Sequence, residues 1–193
     1  MKKALFISAI LASLAFAAPY GVDVSHTNVG FKVKHMMISS TNGKFKSFSG
    51  TFDYDEATKS VSNIKGKIAV ASIDTDDAKR DAHLKDKDFF DATGYPDITF
   101  VSKSVKGNKA TGDLTIKGVT KPVTLTYEFG GATTDPWGNK RAGFSLSGTI
   151  DRRDFGIVWN KALDMGGVAV SNEVKLSVDI EGIAEKKIEP SNN

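Results

Sequence analysis

Val123-Thr124-Leu125-Thr126-Tyr127-Glu128-Phe129 puts its apolar side chains on one parity and its polar ones on the other. A strand has a side-chain period of two, so this run offers one face to a core and one to water. The pattern recurs along the chain. Upstream, Val29, Phe31 and Val33 alternate with Gly30, Lys32 and Lys34; downstream, Phe144, Leu146 and Ile150 share a parity against Ser145, Ser147 and Asp151. Val174, Leu176, Val178 and Ile180 alternate with Lys175, Ser177, Asp179 and Glu181, and shorter cases pair Ile68 with Val70, Ile98 with Phe100, and Leu114 with Ile116. Turn formers separate the runs: Asp55-Glu56-Ala57-Thr58, Lys106-Gly107-Asn108 and Asp135-Pro136-Trp137-Gly138-Asn139, with a further break from Lys117 to Pro122. Connections this short make successive strands antiparallel neighbours. The chain therefore reads as all-β, an antiparallel meander of about eight strands, and closure into a barrel removes its edges.

One stretch lacks alternation. From Asp74 to Lys85 the β-formers thin out, Asp74 or Thr75 is placed to cap a helix, and Asp76 and Asp77 suit its positive end. A short helix is predicted there, with a further turn through Asp88-Phe89-Phe90, closed by Gly94-Tyr95-Pro96. No repeat or linker divides the rest, which reads as one barrel domain over 18–184 followed by a polar tail over 185–193.

The N-terminus sets the expected compartment. Lys2 and Lys3 precede an uncharged run from Ala4 to Phe16, and Ala15-Phe16-Ala17 offers a small-x-small cleavage pattern. Residues 1–17 read as a secretory signal peptide cut near Ala17, which sends the protein to the periplasm or the exterior. Losing Lys2 and Lys3 lowers the formal charge from +3 to +1. That balance gives no clustered basic face for nucleic acid. With no cysteine in the chain, neither disulfides nor a lipid-bearing cysteine can contribute, so no stable membrane anchor is expected.

Several predicted strands are long. Lys140 to Asp151 and Asn172 to Ile183 each extend roughly 40 Å at about 3.3 Å per residue. A barrel of eight such strands has an interior that side chains fill or that holds one small ligand. Gly112, Gly143 and Gly148 are expected to leave room among inward Phe, Met, Ile, Val and Leu. A filled core is the commoner use of an apolar strand face, and pattern alone does not separate the two.

Four blocks bear on this choice: Tyr20-Gly21-Val22-Asp23 with His26 and Val29 to His35; Arg80-Asp81-Ala82-His83-Leu84 with Asp88-Phe89-Phe90-Asp91 and Tyr95-Pro96; Gly112 to Val123; and Asp151-Arg152-Arg153-Asp154-Phe155-Gly156-Ile157 with Glu173-Val174-Lys175-Leu176. In this combination and order the chain resembles the YceI-like family, periplasmic polyisoprenoid-binding proteins, from about Tyr20 to Ile183. It departs at Lys117, where the family often has His, and in its polar tail. The resemblance implies a lipocalin-like barrel with one or two short helices near its mouth and a tunnel for one long amphiphile, an isoprenoid or another long-chain lipid. It also points to a homodimer.

With each strand's apolar parity facing inward, the candidate apolar lining, on the strands and around the helix, is Phe31, Val33, Met36, Met37, Phe45, Phe48, Leu84, Phe89, Phe90, Phe100, Leu114, Phe144, Phe155 and Trp159. Met36-Met37 stand out because flexible thioethers adapt to varied ligands. His35, Arg80, Asp81 and His83 are candidates for a polar head group, although the helix set can equally pin the helix to the barrel. No metal or cofactor is expected, because the three histidines lack ligand spacing. Asp151 and Asp154 read as corner chemistry; acid and base roles would need a cleft that sets two carboxylates across from one another. With no nucleophile elbow or phosphate loop, the expected role is binding and transport. The alternatives are an enzyme acting on an isoprenoid lipid, or a stress-related or surface interaction protein with a filled barrel.

Overall fold

The alternating runs form strands that close on one another. The computed structural model describes residues 17–164 and 166–185; the signal peptide expected over 1–17 and the polar tail expected over 185–193 lie, but for Ala17 and Glu185, outside the described residues. The strands are β1 (Ala18–Val22), β2 (Asn28–His35), β3 (Ser39–Phe45), β4 (Phe48–Asp55), β5 (Ser60–Ala69), β6 (Ile73–Asp74), β7 (Asp97–Lys106), β8 (Lys109–Ile116), β9 (Val119–Thr134), β10 (Lys140–Asp151) and β11 (Val170–Ala184). All their pairings are antiparallel. Eight strands make the ring in the order β1-β4-β5-β7-β8-β9-β10-β11, closed by β11 on β1. The expected all-β antiparallel barrel is the fold.

β11 is long enough to serve two neighbours on one edge. Its end holds β1 through Tyr20↔Ala184, and its earlier part holds β2 through Leu176↔Phe31 and Val174↔Val33. β3 folds back on β2, and β6 touches the end of β3 at Phe45↔Ile73. Among the described residues, no ladder pair joins the two chain segments between Gly21↔Thr51 and Gly30↔Lys44, which leaves a seam in the wall.

Two details differ from the sequence reading. The break expected from Lys117 to Pro122 shrinks to Lys117-Gly118, whose φ values of 48° and 73° are those of a tight primed hairpin turn. Pro122 lies in β9 opposite Asp113, in a stretch that β10 does not pair, so its missing N–H leaves no ladder bond unmade. The helix α1 (Ala78–Lys85) starts later than expected. Asp77, not Asp74 or Thr75, caps it by accepting a bond from the Arg80 N–H at 3.0 Å. Beyond α1 the chain makes hydrogen-bonded turns through Phe89 and Phe90 without a second helix.

A bulge re-aims β5. Thr51 pairs with Lys65 and Asp53 with Ser62, so Asn63 is extra; it takes a left-handed φ of 51°. Val61 and Ile64, three apart, are consequently both buried, and the Ile64 N–H bonds to Ser102 Oγ at 2.8 Å. From there Ile64, Gly66 and Ile68 share the inward parity.

At the end holding the β9–β10 hairpin, Arg141 donates to Asp23 and Asp135, both at 2.8 Å, and to Glu181 at 2.6 Å. Bonds from Ser25, Arg141 and His26 hold the Asp23 carboxyl well below the ordinary range; Asn139 first, then Arg141, does so for Asp135. Groups depressed in the folded state stabilise it above their unfolded pKa of about 4, and that contribution is lost as pH falls through the folded value. The melting temperature should therefore hold down to about pH 4 and fall steadily below it. A flat profile between about pH 4 and about pH 2 would contradict this.

Candidate functional site

The barrel is solid at one end and hollow at the other. The solid end is an aromatic stack: Tyr20 lies on Phe52 at 5.3 Å, Phe52 meets Phe144 edge-on at 5.0 Å, and Tyr54 lies on Phe129 at 5.5 Å. Tyr20 and Phe52 are each 1% exposed. Above this floor a cavity of about 210 Å³ runs up the barrel, walled almost wholly by apolar side chains. An engineered apolar cavity of ~150 Å³ already stays dry and admits benzene. This space therefore favours an apolar occupant over water.

Each wall follows from strand parity. β11 contributes Val174, Leu176, Val178 and Ile180 from its inward face. Phe31 and Val33 come from β2, Phe45 from β3 and Phe48 from β4, while Phe100, Leu114 and Phe144 come from β7, β8 and β10. The roof is Leu84 of α1, Phe89 and Phe90 after it, and Phe155, which is 1% exposed in the short turn that ends β10. Val22, Thr27, Gly50 and Thr51 border the cavity at the seam.

Eleven of the fourteen residues expected as apolar lining thus border this cavity. Met36, Met37 and Trp159 do not. β2 ends at His35, so parity stops there; Met36 and Met37 turn the chain with φ of 50° and 62° and face solvent. Trp159 packs behind the roof, 5.1 Å from both His83 and Phe89. Neither His35, Arg80, Asp81 nor His83 borders the cavity. His35 is exposed at the strand end. Arg80 donates to Thr75 Oγ1 at 2.8 Å and to its carbonyl at 2.7 Å, while Asp81 accepts from the Thr75 N–H at 2.9 Å. This pair pins α1 to the chain leaving β6.

The glycines differ from expectation too. At Gly112 and Gly148 a side chain would collide with Phe100 and Leu125, so those glycines make room for neighbours, not for a ligand; at Gly143 it would press on the Ile180 carbonyl. Gly66 is the exception: it borders the cavity and a side chain there would meet nothing within 4 Å.

Arg152 reads in sequence as corner charge but is buried, at 5% exposure, beside the cavity. Its Nε donates to the Ser171 carbonyl at 2.9 Å and its Nη1 to those of Ile157 and Trp159, both at 2.8 Å. Burial lowers its pKa, yet an arginine keeps its proton. It ties the segment after β10 to the start of β11. Asp23, His26 and Glu181 come together at the opposite end, but Arg141 already occupies both carboxylates, which makes the cluster an ion-pair network. Among the described residues no helix is long and apolar enough to cross a membrane.

Comparison with known proteins agrees with this architecture. The model of the YceI-like domain matches residues 20–182. Protein YceI of Shigella flexneri is 42% identical, over 96% of this chain and all of that protein. A crystal structure of the Campylobacter jejuni YCEI protein, 36% identical, superposes with a TM-score of 0.70 and covers 85% of this chain and 96% of that one. A polyisoprenoid-binding domain from Saccharophagus degradans shares the fold at 14% identity, with a TM-score of 0.62 over 88% of this chain and all of that domain.

Proposed function

The chain belongs to the YceI-like family, and on that basis we propose that it is a periplasmic carrier that holds the apolar chain of a long amphiphile inside its barrel. The observation that carries this reading is the cavity: its wall is apolar almost throughout, and among the described residues no cluster of carboxylates or histidines borders it. Such a wall recognises hydrocarbon. Each methylene it covers contributes about 0.8 kcal/mol, so ten supply roughly 8 kcal/mol before the costs of association. The polyisoprenoid-binding domain of the same fold supports an isoprenoid-type ligand, and a long-chain fatty acyl group meets the same wall equally well.

The same wall argues against catalysis. Proton transfer or nucleophilic attack needs positioned polar groups at the reacting atom, and the buried charged side chain beside the interior, Arg152, is spent on backbone carbonyls. The leader expected over residues 1–17 supports export to the periplasm. Organic extraction of the exported protein tests the reading. It should release about one long-chain amphiphile per protein chain.

A further inference from the structure

We propose that the β2–β3 hairpin docks the protein on an anionic lipid bilayer, with its tip in the interfacial layer and its lysines over the headgroups. The tip is Met36-Met37-Ile38, exposed by 40%, 62% and 85%. Val168, 36% exposed, lies beside it, where the Met36 N–H bonds to the Ala169 carbonyl at 2.9 Å. These side chains neither line the cavity nor join either core cluster.

Backbone geometry makes their presence more pointed. Met36 and Met37 both take left-handed φ values, which Asn and Gly adopt readily and which cost other residues about 1 kcal/mol each. The turn would form more easily with small polar residues. Apolar side chains there serve something outside the folded chain.

Charge selects the partner. From Val24 to Phe52 the sequence holds no aspartate or glutamate. Lys32, Lys34 and Lys44 on the hairpin are exposed, and Lys175 of β11 pairs opposite Lys32. The acids bordering this surface are Asp74, opposite Lys44 and bound by Lys46 at 2.6 Å, Glu173 and Asp179 on β11, and Asp164 in the loop that carries Val168. The amines of Lys32, Lys34, Lys44 and Lys175 thus concentrate on the hairpin itself and the β11 position beside it. An apolar finger flanked by amines matches the acyl boundary and phosphates of an anionic membrane. A protein partner or a second copy fits worse, because a stable interface covers about 800 Å² on each side and a three-residue tip does not supply it. Position agrees as well: Val33 and Val170, just behind the tip, both line the cavity.

Vesicle flotation tests this, and it reads the outer surface whatever the cavity holds. The protein should float with vesicles of phosphatidylcholine mixed with phosphatidylglycerol, stay down with phosphatidylcholine alone, and be released by salt. Met37→Ser with Ile38→Ser should weaken binding about ten-fold or more, and Lys32→Gln and Lys34→Gln about five-fold each. Trp137→Ser, which removes an 81% exposed side chain from the opposite end, should change nothing. All these sites are exposed, so melting curves should match the parent. Flotation with neither vesicle, flotation that the tip variant retains, or a dimer lost in the tip variant without any vesicle binding would each overturn the proposal.

Discussion

Gly66→Leu should weaken uptake of a long-chain amphiphile about a hundred-fold while leaving the melting temperature at or slightly above the parent value. The Asn63 bulge turns Gly66 inward, and a side chain built there projects into open cavity. Its backbone lies outside the left-handed region, so leucine costs no strain. The four carbons added occupy space that three or four ligand methylenes would otherwise fill, at about 0.8 kcal/mol each, or ~3 kcal/mol in all. Filling an apolar hollow is neutral or stabilising for the protein itself. Titration of delipidated parent and variant with one fatty acid, alongside melting curves, separates the two effects. Unchanged affinity would place the ligand elsewhere.

Arg152→Met should destabilise the fold by about 3–5 kcal/mol, because the buried carbonyl of Ile157 and the half-buried ones of Ser171 and Trp159 lose their donors at roughly 1–3 kcal/mol each and methionine replaces none of them. For a chain of this size that lowers the melting temperature by about 10 °C. Lysine should not rescue it, since one ammonium cannot reach the carbonyls of Ser171, Ile157 and Trp159 as the planar fork does. A thermal melt of the variant within about 2 °C of the parent would show that the arginine is not what holds this segment.

Much of this is legible in the residues. Alternation marks the strands, and parity places Phe31, Val33, Phe100, Leu114 and Phe144 on the wall where the structure has them. What stays hidden depends on backbone events that period-two reasoning does not register. The bulge at Asn63 flips the parity that brings Gly66 inward. The end of β2 at His35 sends Met36 and Met37 outward, although their composition suits a lining. The apolar residues of β11 stand out in sequence as a strand face, but alternation alone does not say whether such a face meets a filled core or the hollow part of the barrel. Arg152 sits in a run of four charges, and nothing in that run marks the one that folds under.

Whether the hollow half of the barrel carries a hydrocarbon chain is decided by native mass spectrometry of the protein exported by its own host. A carrier shows a stoichiometric adduct that dissociates on denaturation, partitions into organic solvent, and is missing from Gly66→Leu. A bare mass in both proteins, still bare after incubation with polyisoprenoids and long-chain fatty acids, would contradict it.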